Sequence, residues 1–481
     1  MPPNILIIMT DQHSKHFLGC AGNDLVRTPN LDRLAERGTR FDTAYTNCPI
    51  CVPVRASLAT GRWVHQARYW DNAFPYDGQI PSWHHRLRDQ GFHVDSIGKL
   101  HFSTEQDDHG FADRVEPLYV VDGIGDVLGC LRDDGPVRRK RGGILEAGPG
   151  DSTYLQYDRR NADHGVEWLE AHGQQDKPWA LMLSFVCPHP PYICPPEWFE
   201  YYANRDLPMP PQWQQADWPT HPVVDHFRRF FDLHPQFEEK QIRRLLAAYY
   251  GACSFLDEQI GRVLHRLETL GLTDRTRVIY TSDHGEHLGA RGIYGKLSLY
   301  DESAGVPMIA AGPDVPHGHA CHTPTSLIDL YPSIIESVGA RSYDDDAGLP
   351  GRSLWAIANN ADAQRTVLSE YHAVASKHGS YMLRDERFKY NHYVGAPPQL
   401  FDMRSDPQEL RDLAGDPAHA EQLKACEQRL RQILDPDEVD AMARADQAAR
   451  VEALGGEAAI RQRGAFDNSP APGEAPAFRL H

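Results

Sequence analysis

Two segments of the sequence place carboxylate, amide and imidazole side chains directly after apolar runs that are typical of buried strands. Asp11 and Gln12 follow an apolar run that begins at Ile5, and Asp283 and His284 follow a second run. A single aspartate after a strand is as often a turn former as a ligand. Two such strand ends favour a ligand-binding role over two separate turns, because ligands bind beyond the carboxyl ends of parallel strands. Mostly oxygen ligands with one imidazole suit a divalent cation, so we predict a metal site here.

A third segment carries a thiol and a guanidinium at helical spacing. Cys51 lies just before a short predicted helix, and Arg55 follows one turn later. Helix N-termini bind anions and activate cysteines, and residues four apart share one face of a helix. On these residues alone, Cys51 is either a thiolate nucleophile or a buried structural cysteine, and the second is the more common case.

The order of these motifs along the chain resembles that of the type I sulfatases, the formylglycine-dependent family of the alkaline phosphatase superfamily. The family signature Cys-x-Pro-x-Arg, followed by Thr-Gly-Arg, stands at residues 51–62. A second signature, which ends in Gly-Lys-x-His, matches Lys99 and His101. Further matches are His189 in Pro-His-Pro-Pro and Lys296 in Gly-Lys. The matches keep the family order over roughly the first two thirds of the chain, and a looser likeness continues beyond.

The resemblance implies a mechanism and a set of site residues. In this family a maturation enzyme oxidises the cysteine to Cα-formylglycine, so Cys51 is expected to become an aldehyde hydrate. The implied metal ligands are Asp11, Gln12, Cys51, Asp283 and His284. The implied catalytic residues are Cys51 as the nucleophile, Arg55 to orient it, Lys99 and Lys296 to hold sulfate oxygens, His189 to protonate the leaving group, and His101 to deprotonate the second hydroxyl. Taken singly, such lysines are more often surface residues, and such histidines core or loop residues.

The residues beside the two metal-binding aspartates are typical of one branch of the family. Many type I sulfatases carry a second Asp where Gln12 stands and an Asn where His284 stands. The Gln/His pair is more similar to choline sulfatases and phosphonate monoester hydrolases. However, phosphonate monoester hydrolases generally lack the pair that Lys99 and His101 supply here. The Gln12 amide also removes a negative charge from the site, so both Ca²⁺ and Mn²⁺ stay open as the metal.

We therefore expect a sulfuric ester hydrolase that cleaves a small aryl or alkyl sulfate monoester. Its expected partners are this substrate, one divalent cation and the formylglycine-generating maturation enzyme. Two alternatives remain open: a phosphonate monoester or phosphodiester hydrolase with the same nucleophile, and an inactive metal-binding homologue. By analogy with choline sulfatases, we also expect a homo-oligomer that assembles through the C-terminal tail.

Short apolar runs alternate with helical patterns over most of the chain. This alternation predicts an α/β catalytic domain at residues 1–360, with a large, mostly parallel mixed sheet sandwiched by helices. Two irregular stretches, residues 103–150 and 194–225, are predicted to be walls of a substrate pocket. Short strand patterns and a final helix predict a small antiparallel α+β subdomain at residues 361–435. The remainder, residues 436–481, is predicted to be an extended tail.

Composition and charge exclude several classes of protein function. The chain has 481 residues, of which 41% are hydrophobic and 24% charged, a globular profile. The 49 Lys and Arg against 67 Asp and Glu give a net charge of −18, which disfavours binding to nucleic acid or to an anionic membrane. Nine cysteines without a repeated spacing indicate reduced thiols. No apolar run is long enough for a signal peptide or a membrane span, so we expect a cytoplasmic protein.

Overall fold

The computed structural model describes residues 2–133, 135–359, 364–466 and 468–479. Eight strands of these residues form a main sheet: β1 (Asn4–Asp11), β2 (Gly38–Phe41), β3 (His93–Lys99), β4 (Asp113–Leu118), β5 (Trp179–Pro188), β6 (Thr276–Ser282), β7 (Met308–Ala311) and β8 (His319–Cys321). Their spatial order is β8-β2-β7-β6-β1-β5-β3-β4. Strand β7 runs antiparallel to its neighbours, and the other pairings are parallel. The predicted α/β class with a mostly parallel sheet is confirmed.

The central strand β1 is buried on both faces. It pairs in parallel with β5 on one side and with β6 on the other. Ile5 and Ile7 pack into one apolar cluster, whereas Leu6 and Ile8 pack into a second cluster. Full burial of each such side chain stabilises the fold by about 1.5–3 kcal/mol. This double burial explains the unbroken apolar run, and it places Asp11 at the carboxyl end of the most central strand.

Helices cover both faces of the main sheet. In the part of the chain that the structure describes, the helices of the whole molecule with six residues or more are α1 (Pro29–Glu36), α2 (Cys51–Thr60), α3 (Trp83–Arg88), α4 (Thr153–His172), α5 (Pro196–Ala203), α6 (Pro222–Phe230), α7 (Glu239–Thr269), α8 (Leu330–Ser337), α9 (Leu354–Asn359), α10 (Ala420–Ile433), α11 (Pro436–Ala453) and α12 (Gly456–Arg463). Helices α1 and α4 and the second half of α7 join the cluster of Leu6, and α2, α3 and α8 join that of Ile5. Among the described residues, no helix combines the length and the apolar character that crossing a bilayer requires.

Helix α4 is the longest element that the sequence did not reveal. Its inner face carries the buried polar side chains of Asp158 and Asn161, which interrupt the apolar stripe. The Asp158 carboxylate accepts hydrogen bonds from the backbone N–H groups of Val186, at 2.9 Å, and Cys187, at 2.7 Å. A buried polar residue with tertiary partners therefore hid the helical period that apolar residues would have shown.

A second sheet follows in the C-terminal region. Strands β9 (Val367–Tyr371), β10 (Ser380–Arg384), β11 (Phe388–Tyr393) and β12 (Ala396–Asp402) pair antiparallel in chain order, and α10 packs on β11. The predicted antiparallel strands and the final helix are therefore present. The predicted boundary between residues 360 and 361 lies outside the described residues, and the division into domains stays a prediction.

The prediction of an extended tail at residues 436–481 is wrong for residues 436–463, which form α11 and α12. Asp435 caps α11, because its side chain accepts hydrogen bonds from two backbone N–H groups of the first turn, at 3.0 and 3.3 Å. Val439 and Ala443 are buried in the apolar core. Alanine and glutamate are strong helix formers that are also common in disordered segments, so composition alone could not separate these states.

Candidate active site

Cys51 is the first residue of α2, a helix that is buried along its whole length. The helix ends at Gly61, whose φ of 69° favours a residue without Cβ. Cys51 Sγ lies 3.1 Å from His284 Nε2 and 3.2 Å from Lys296 Nζ. Burial, and then the charge of Asp11, raise the pKa of the Cys51 thiol to about 11. An unmodified Cys51 is therefore a thiol at neutral pH, which argues against a plain thiolate nucleophile.

Strands β1 and β6 bring the two predicted acidic segments together. They are parallel neighbours in register, so Asp11 and Asp283 leave the sheet side by side. The ligand atoms of Asp11, Cys51, Asp283 and His284 all lie within 4.8 Å of one another, and all four residues are buried. Two buried carboxylates at this separation repel each other unless positive charge is near. The donor set of carboxylates and imidazole fits a divalent cation with mostly oxygen ligands.

Gln12 lies beside this cluster, and its role as the fifth ligand stays a prediction. Its side-chain oxygen Oε1 accepts a hydrogen bond from Lys296 Nζ at 2.8 Å, and its backbone N–H donates to Asp283 Oδ1 at 3.2 Å. The backbone of Gln12 has a φ of 68°, in the left-handed region that few residues other than glycine adopt. Such conformations persist where the surroundings hold them, and they are common at functional sites.

Three cations surround the two carboxylates. Arg55 Nε donates to Asp283 Oδ2 at 3.0 Å, and Arg55 Nη1 donates to the backbone oxygen of Lys99 at 2.8 Å. Lys99 Nζ forms an ion pair with Asp11, and Lys296 Nζ lies 4.0 Å from Asp11 Oδ1. Arg55 and Lys99 are each 1% exposed. The interpretation of Lys99 as a solvated surface lysine therefore does not apply.

The two carboxylates respond differently to this environment. Burial opposes the charged form of Asp11, but Lys99 and other nearby cations hold the pKa of Asp11 well below its ordinary value. Burial, and then the charge of Asp11, raise the pKa of Asp283 to about 6. The second carboxylate therefore carries its charge less readily than the first, as expected for a site that can take up further positive charge.

Lys99 and His101 come from the end of β3, at the same edge of the sheet. The preceding Gly98 has a φ of 88°, and a Cβ there would lie 2.1 Å from the backbone oxygen of Ser184. Glycine is therefore required for the close approach that carries this strand end into the site. His101 Nε2 lies 3.0 Å from Ser469 Oγ, and the buried Nδ1 of His101 has no hydrogen-bond partner among the described residues.

His189 follows β5, the neighbour of β1 in the sheet. Its Nδ1 donates to the backbone oxygen of Pro190 at 2.7 Å, which leaves Nε2 for another partner. Burial, and then the charge of Lys296, lower the pKa of His189 well below its ordinary value. Burial, and then the charge of Lys99, do the same to His101. Both imidazoles are therefore neutral in the free protein at physiological pH.

A cavity of about 700 Å³ opens onto these residues, a size typical of small-molecule sites. The predicted site residues that line it are Gln12, Cys51, Lys99, His101, His189 and Lys296. Residues 136–140 and 142–144 form part of its outer wall, which supports the prediction for the stretch 103–150. None of the described residues of the stretch 194–225 lines this cavity, because α5 packs against α7 instead. The prediction of a second wall from that stretch is therefore wrong.

Comparison with models of protein families identifies the family to which this chain belongs. The Sulfatase family model matches residues 3–340, more than half of the chain. The chain belongs to the sulfatase family. The model for the C-terminal part of N-sulphoglucosamine sulphohydrolase matches residues 285–436 of this sulfatase. It is therefore a sulfuric ester hydrolase that acts on sulfate monoesters, as the sequence motifs predict.

The sulfatase is similar to proteins of this family over most of its length. A choline-sulfatase of Rhizobium meliloti (strain 1021) is 32% identical over 437 residues, which are 86% of this chain and 83% of the relative. Arylsulfatase K of Xenopus laevis is 28% identical over 463 residues, which are 91% of this chain and 83% of the relative. The phosphonate monoester hydrolase of Agrobacterium radiobacter matches with a TM-score of 0.70 at 24% identity, over 92% of this chain and 96% of that chain. The last match supports the alkaline-phosphatase-like fold, and the phosphonate alternative is less well supported than sulfate hydrolysis.

Some residues of the sulfatase site were not assigned a role from the sequence. Asn72 lines the cavity and accepts a hydrogen bond from the first backbone N–H after Cys51, at 3.2 Å. Glu286 accepts a hydrogen bond from the side chain of Gln12. Glu286 stands within three residues of Asp283, so its position was a usable signal. Ser469 lies 368 residues from its partner His101, and no local pattern marks that contact.

Proposed function

We propose that this sulfatase cleaves small aryl or alkyl sulfate monoesters with residue 51 as Cα-formylglycine and with one Ca²⁺ or Mn²⁺ ion. The proposed ligands of the ion are Asp11, Gln12, Asp283, His284 and the modified residue 51. One observation carries the proposal: Cys51 Sγ meets His284 Nε2 at 3.1 Å and Lys296 Nζ at 3.2 Å, where a cavity of about 700 Å³ reaches the strand ends. A structural cysteine would instead pack among apolar side chains.

The charges at the site suit an anionic substrate. A sulfate monoester carries one negative charge over three oxygens, and Lys99 and Lys296 bind these oxygens as point charges. Arg55 keeps the site in place, because it holds Asp283 at 3.0 Å and the backbone of Lys99 at 2.8 Å. A divalent cation, when bound, stabilises the negative charge that develops during sulfuryl transfer.

Two histidines transfer protons in the proposed reaction. His189 donates a proton to the leaving oxygen, and His101 accepts one from the hydroxyl that remains on residue 51. In the free protein, burial and neighbouring cations lower the pKa of both histidines. An anionic sulfate ester offsets those cations and raises the pKa of His189, so the substrate itself helps to charge its proton donor.

Mass spectrometry of the peptide that contains Cys51 tests the modification. In protein from a host that has the maturation enzyme, replacing the thiol by an aldehyde makes the peptide lighter by about 18 Da. The same peptide from a host without that enzyme is the control. An unconverted Cys51 in both samples would contradict the proposal and favour the inactive metal-binding alternative.

Substrate preference tests the type of ester. We expect kcat/KM for p-nitrophenyl sulfate to exceed that for a phenylphosphonate ester by at least about tenfold, because Lys99 and His101 are both present. All samples are loaded with the same amount of the same metal ion, so that differences in metal content do not affect kcat/KM. A clear preference for the phosphonate ester would replace sulfate hydrolysis by the alternative activity.

We also propose that the enzyme is a cytoplasmic homo-oligomer that depends on a formylglycine-generating enzyme. All nine cysteines are free in the structure, which suits a reducing compartment. The choline-sulfatase likeness is the reason to expect an oligomer. Light scattering of the full chain tests this, and a particle mass of 54.2 kDa, that of one chain, would contradict it.

A further inference from the structure

Glu286 is a buried carboxylate with no part in the mechanism above. It is 1% exposed, and four donors converge on it. Its Oε2 accepts from Gln12 Nε2 and from the hydroxyl of Tyr192 at 2.8 Å. Its Oε1 accepts from the backbone N–H groups of Leu288 and Gly295, each at 2.7 Å. All four of these hydrogen-bond partners are donors, so both carboxylate oxygens of Glu286 act as acceptors.

This contact fixes which end of the Gln12 amide meets Glu286 and which end meets Lys296. An amide has a donor end and an acceptor end, and only the oxygen can bind a cation. Glu286 takes the Nε2 end, and Lys296 Nζ meets the Oε1 end at 2.8 Å. A flipped amide would oppose its oxygen to the carboxylate of Glu286 and its NH₂ to the ammonium of Lys296. Both new contacts would be repulsive, so one orientation is selected.

The backbone of Gln12 is fixed separately. Its N–H donates to Asp283 Oδ1 at 3.2 Å, and its carbonyl oxygen accepts from the Tyr249 hydroxyl at 2.6 Å. The side-chain amide is therefore the part of Gln12 that still needs to be oriented. Groups behind a metal ligand commonly supply that orientation, and their loss weakens metal binding.

We propose that Glu286 is a positioning residue that holds the Gln12 amide with its oxygen toward Lys296, whose Nζ also contacts Cys51 of the metal cluster at 3.2 Å. The same carboxylate fixes the backbone at Gly295, directly before Lys296, and the hydroxyl of Tyr192, shortly after His189. Glu286 therefore orients the proposed metal ligand Gln12 and aligns the segments that carry Lys296 and His189, without touching the substrate. The inference rests on the proposed function, because it takes the cluster to be a divalent cation site.

Calorimetric titration of the chelator-treated full chain with Mn²⁺ alone, and then with Ca²⁺ alone, tests this inference. We expect Glu286→Gln to raise the Kd at least about tenfold, because the substituted amide can also donate to Gln12 and allow its flip. Glu258→Gln removes an equal charge from an exposed site on α7 and is expected to leave the Kd unchanged. Glu286→Asp keeps an acceptor and should restore part of the affinity.

A double-mutant comparison separates positioning from general damage. If Glu286 acts through Gln12, then Glu286→Gln should change the Kd by no more than about twofold when Gln12→Ala is already present. An equal effect in both backgrounds, or a wild-type Kd for Glu286→Gln, would overturn the inference. A wild-type protein that binds neither ion would instead overturn the proposed function.

A wild-type measurement covers the case in which Glu286→Gln does not fold. In a ¹⁵N-glutamine-labelled sample, the side-chain amide protons of Gln12 should exchange slowly with solvent, because a buried carboxylate binds one of them. Gln214, an amide at an exposed position, serves as the fast-exchanging reference. Exchange of the Gln12 amide at the rate of this reference would overturn the inference.

Discussion

The strand ends and the outer wall of the cavity are built in different ways. The strand ends carry Asp11, Gln12, Asp283 and His284, and each of these residues is at most 1% exposed. The outer wall consists of cavity-lining residues from 136–146 and 465–479. It includes a large apolar side chain that remains open to solvent, Val137 at 51%. The first region is held by a sheet with both faces covered, and the second by loops and the short helix Arg141–Leu145.

This difference indicates how the work of the enzyme is divided. A buried, low-dielectric site strengthens every charge interaction, so chemistry that depends on charge belongs at the strand ends. Exposed loops tolerate change more easily, so they are suited to contact the variable alcohol part of a substrate. Damage at the strand ends should therefore abolish the reaction or metal binding. Damage at the wall should lower efficiency while metal affinity survives.

The largest effect is expected at residue 51. Cys51→Ser removes the thiol that we propose is converted to formylglycine, and kcat should fall at least about 10³-fold, because the proposed nucleophile is lost. The Cys48→Ser variant is a matched control, since Cys48 is also buried but lies outside the metal-ligand cluster. Steady-state kinetics with p-nitrophenyl sulfate measure both. Near-normal activity of Cys51→Ser would place the reaction elsewhere in the cavity.

The next largest effect is expected for Lys99→Ala. Loss of the ammonium removes the proposed sulfate contact and leaves Asp11 without this ion-pair partner, so kcat/KM should fall about 10²-fold. Lys177→Ala, at an exposed position, should leave kcat/KM unchanged. Equal values of kcat/KM for the two variants would show that Lys99 has no role in catalysis.

Deletion of residues 465–481 damages the outer wall alone. In the intact chain, Ala465 and Arg479 form a two-way backbone pair, at 3.0 and 2.7 Å, and Ala471 is buried beside Tyr154. Without this segment, we expect kcat/KM to fall about tenfold, because part of the cavity wall is lost and solvent enters. The Kd for Mn²⁺ should stay within about twofold, because Asp11, Gln12, Asp283 and His284 have no hydrogen bond or ion pair to the described residues of the segment. A loss of metal affinity would contradict the separation of the two regions.

The same contrast explains what the sequence could predict. Asp11, Cys51 and Asp283 are adjacent to strong local signals, because each stands at the end of an apolar run or the start of a helix. The roles of Glu286 and Ser469 depend on which distant donor or acceptor they meet, and that is a property of tertiary packing. The helices of residues 436–463 were missed for a third reason, since their alanine- and glutamate-rich composition is shared with disordered segments.

The smallest and most selective effect is expected for Ser469→Ala. Ser469 Oγ lies 3.0 Å from His101 Nε2, and the Ser469 carbonyl oxygen accepts from the Tyr154 hydroxyl. Only the first contact is lost in this variant, so kcat should fall about threefold, the usual effect of one hydrogen bond. KM should fall with kcat, and kcat/KM should not change, because His101 is proposed to act after the sulfuryl group has been transferred. Ser469→Thr keeps a hydroxyl and should retain most of the activity, whereas equal losses in both variants would show that the wall acts by shape alone.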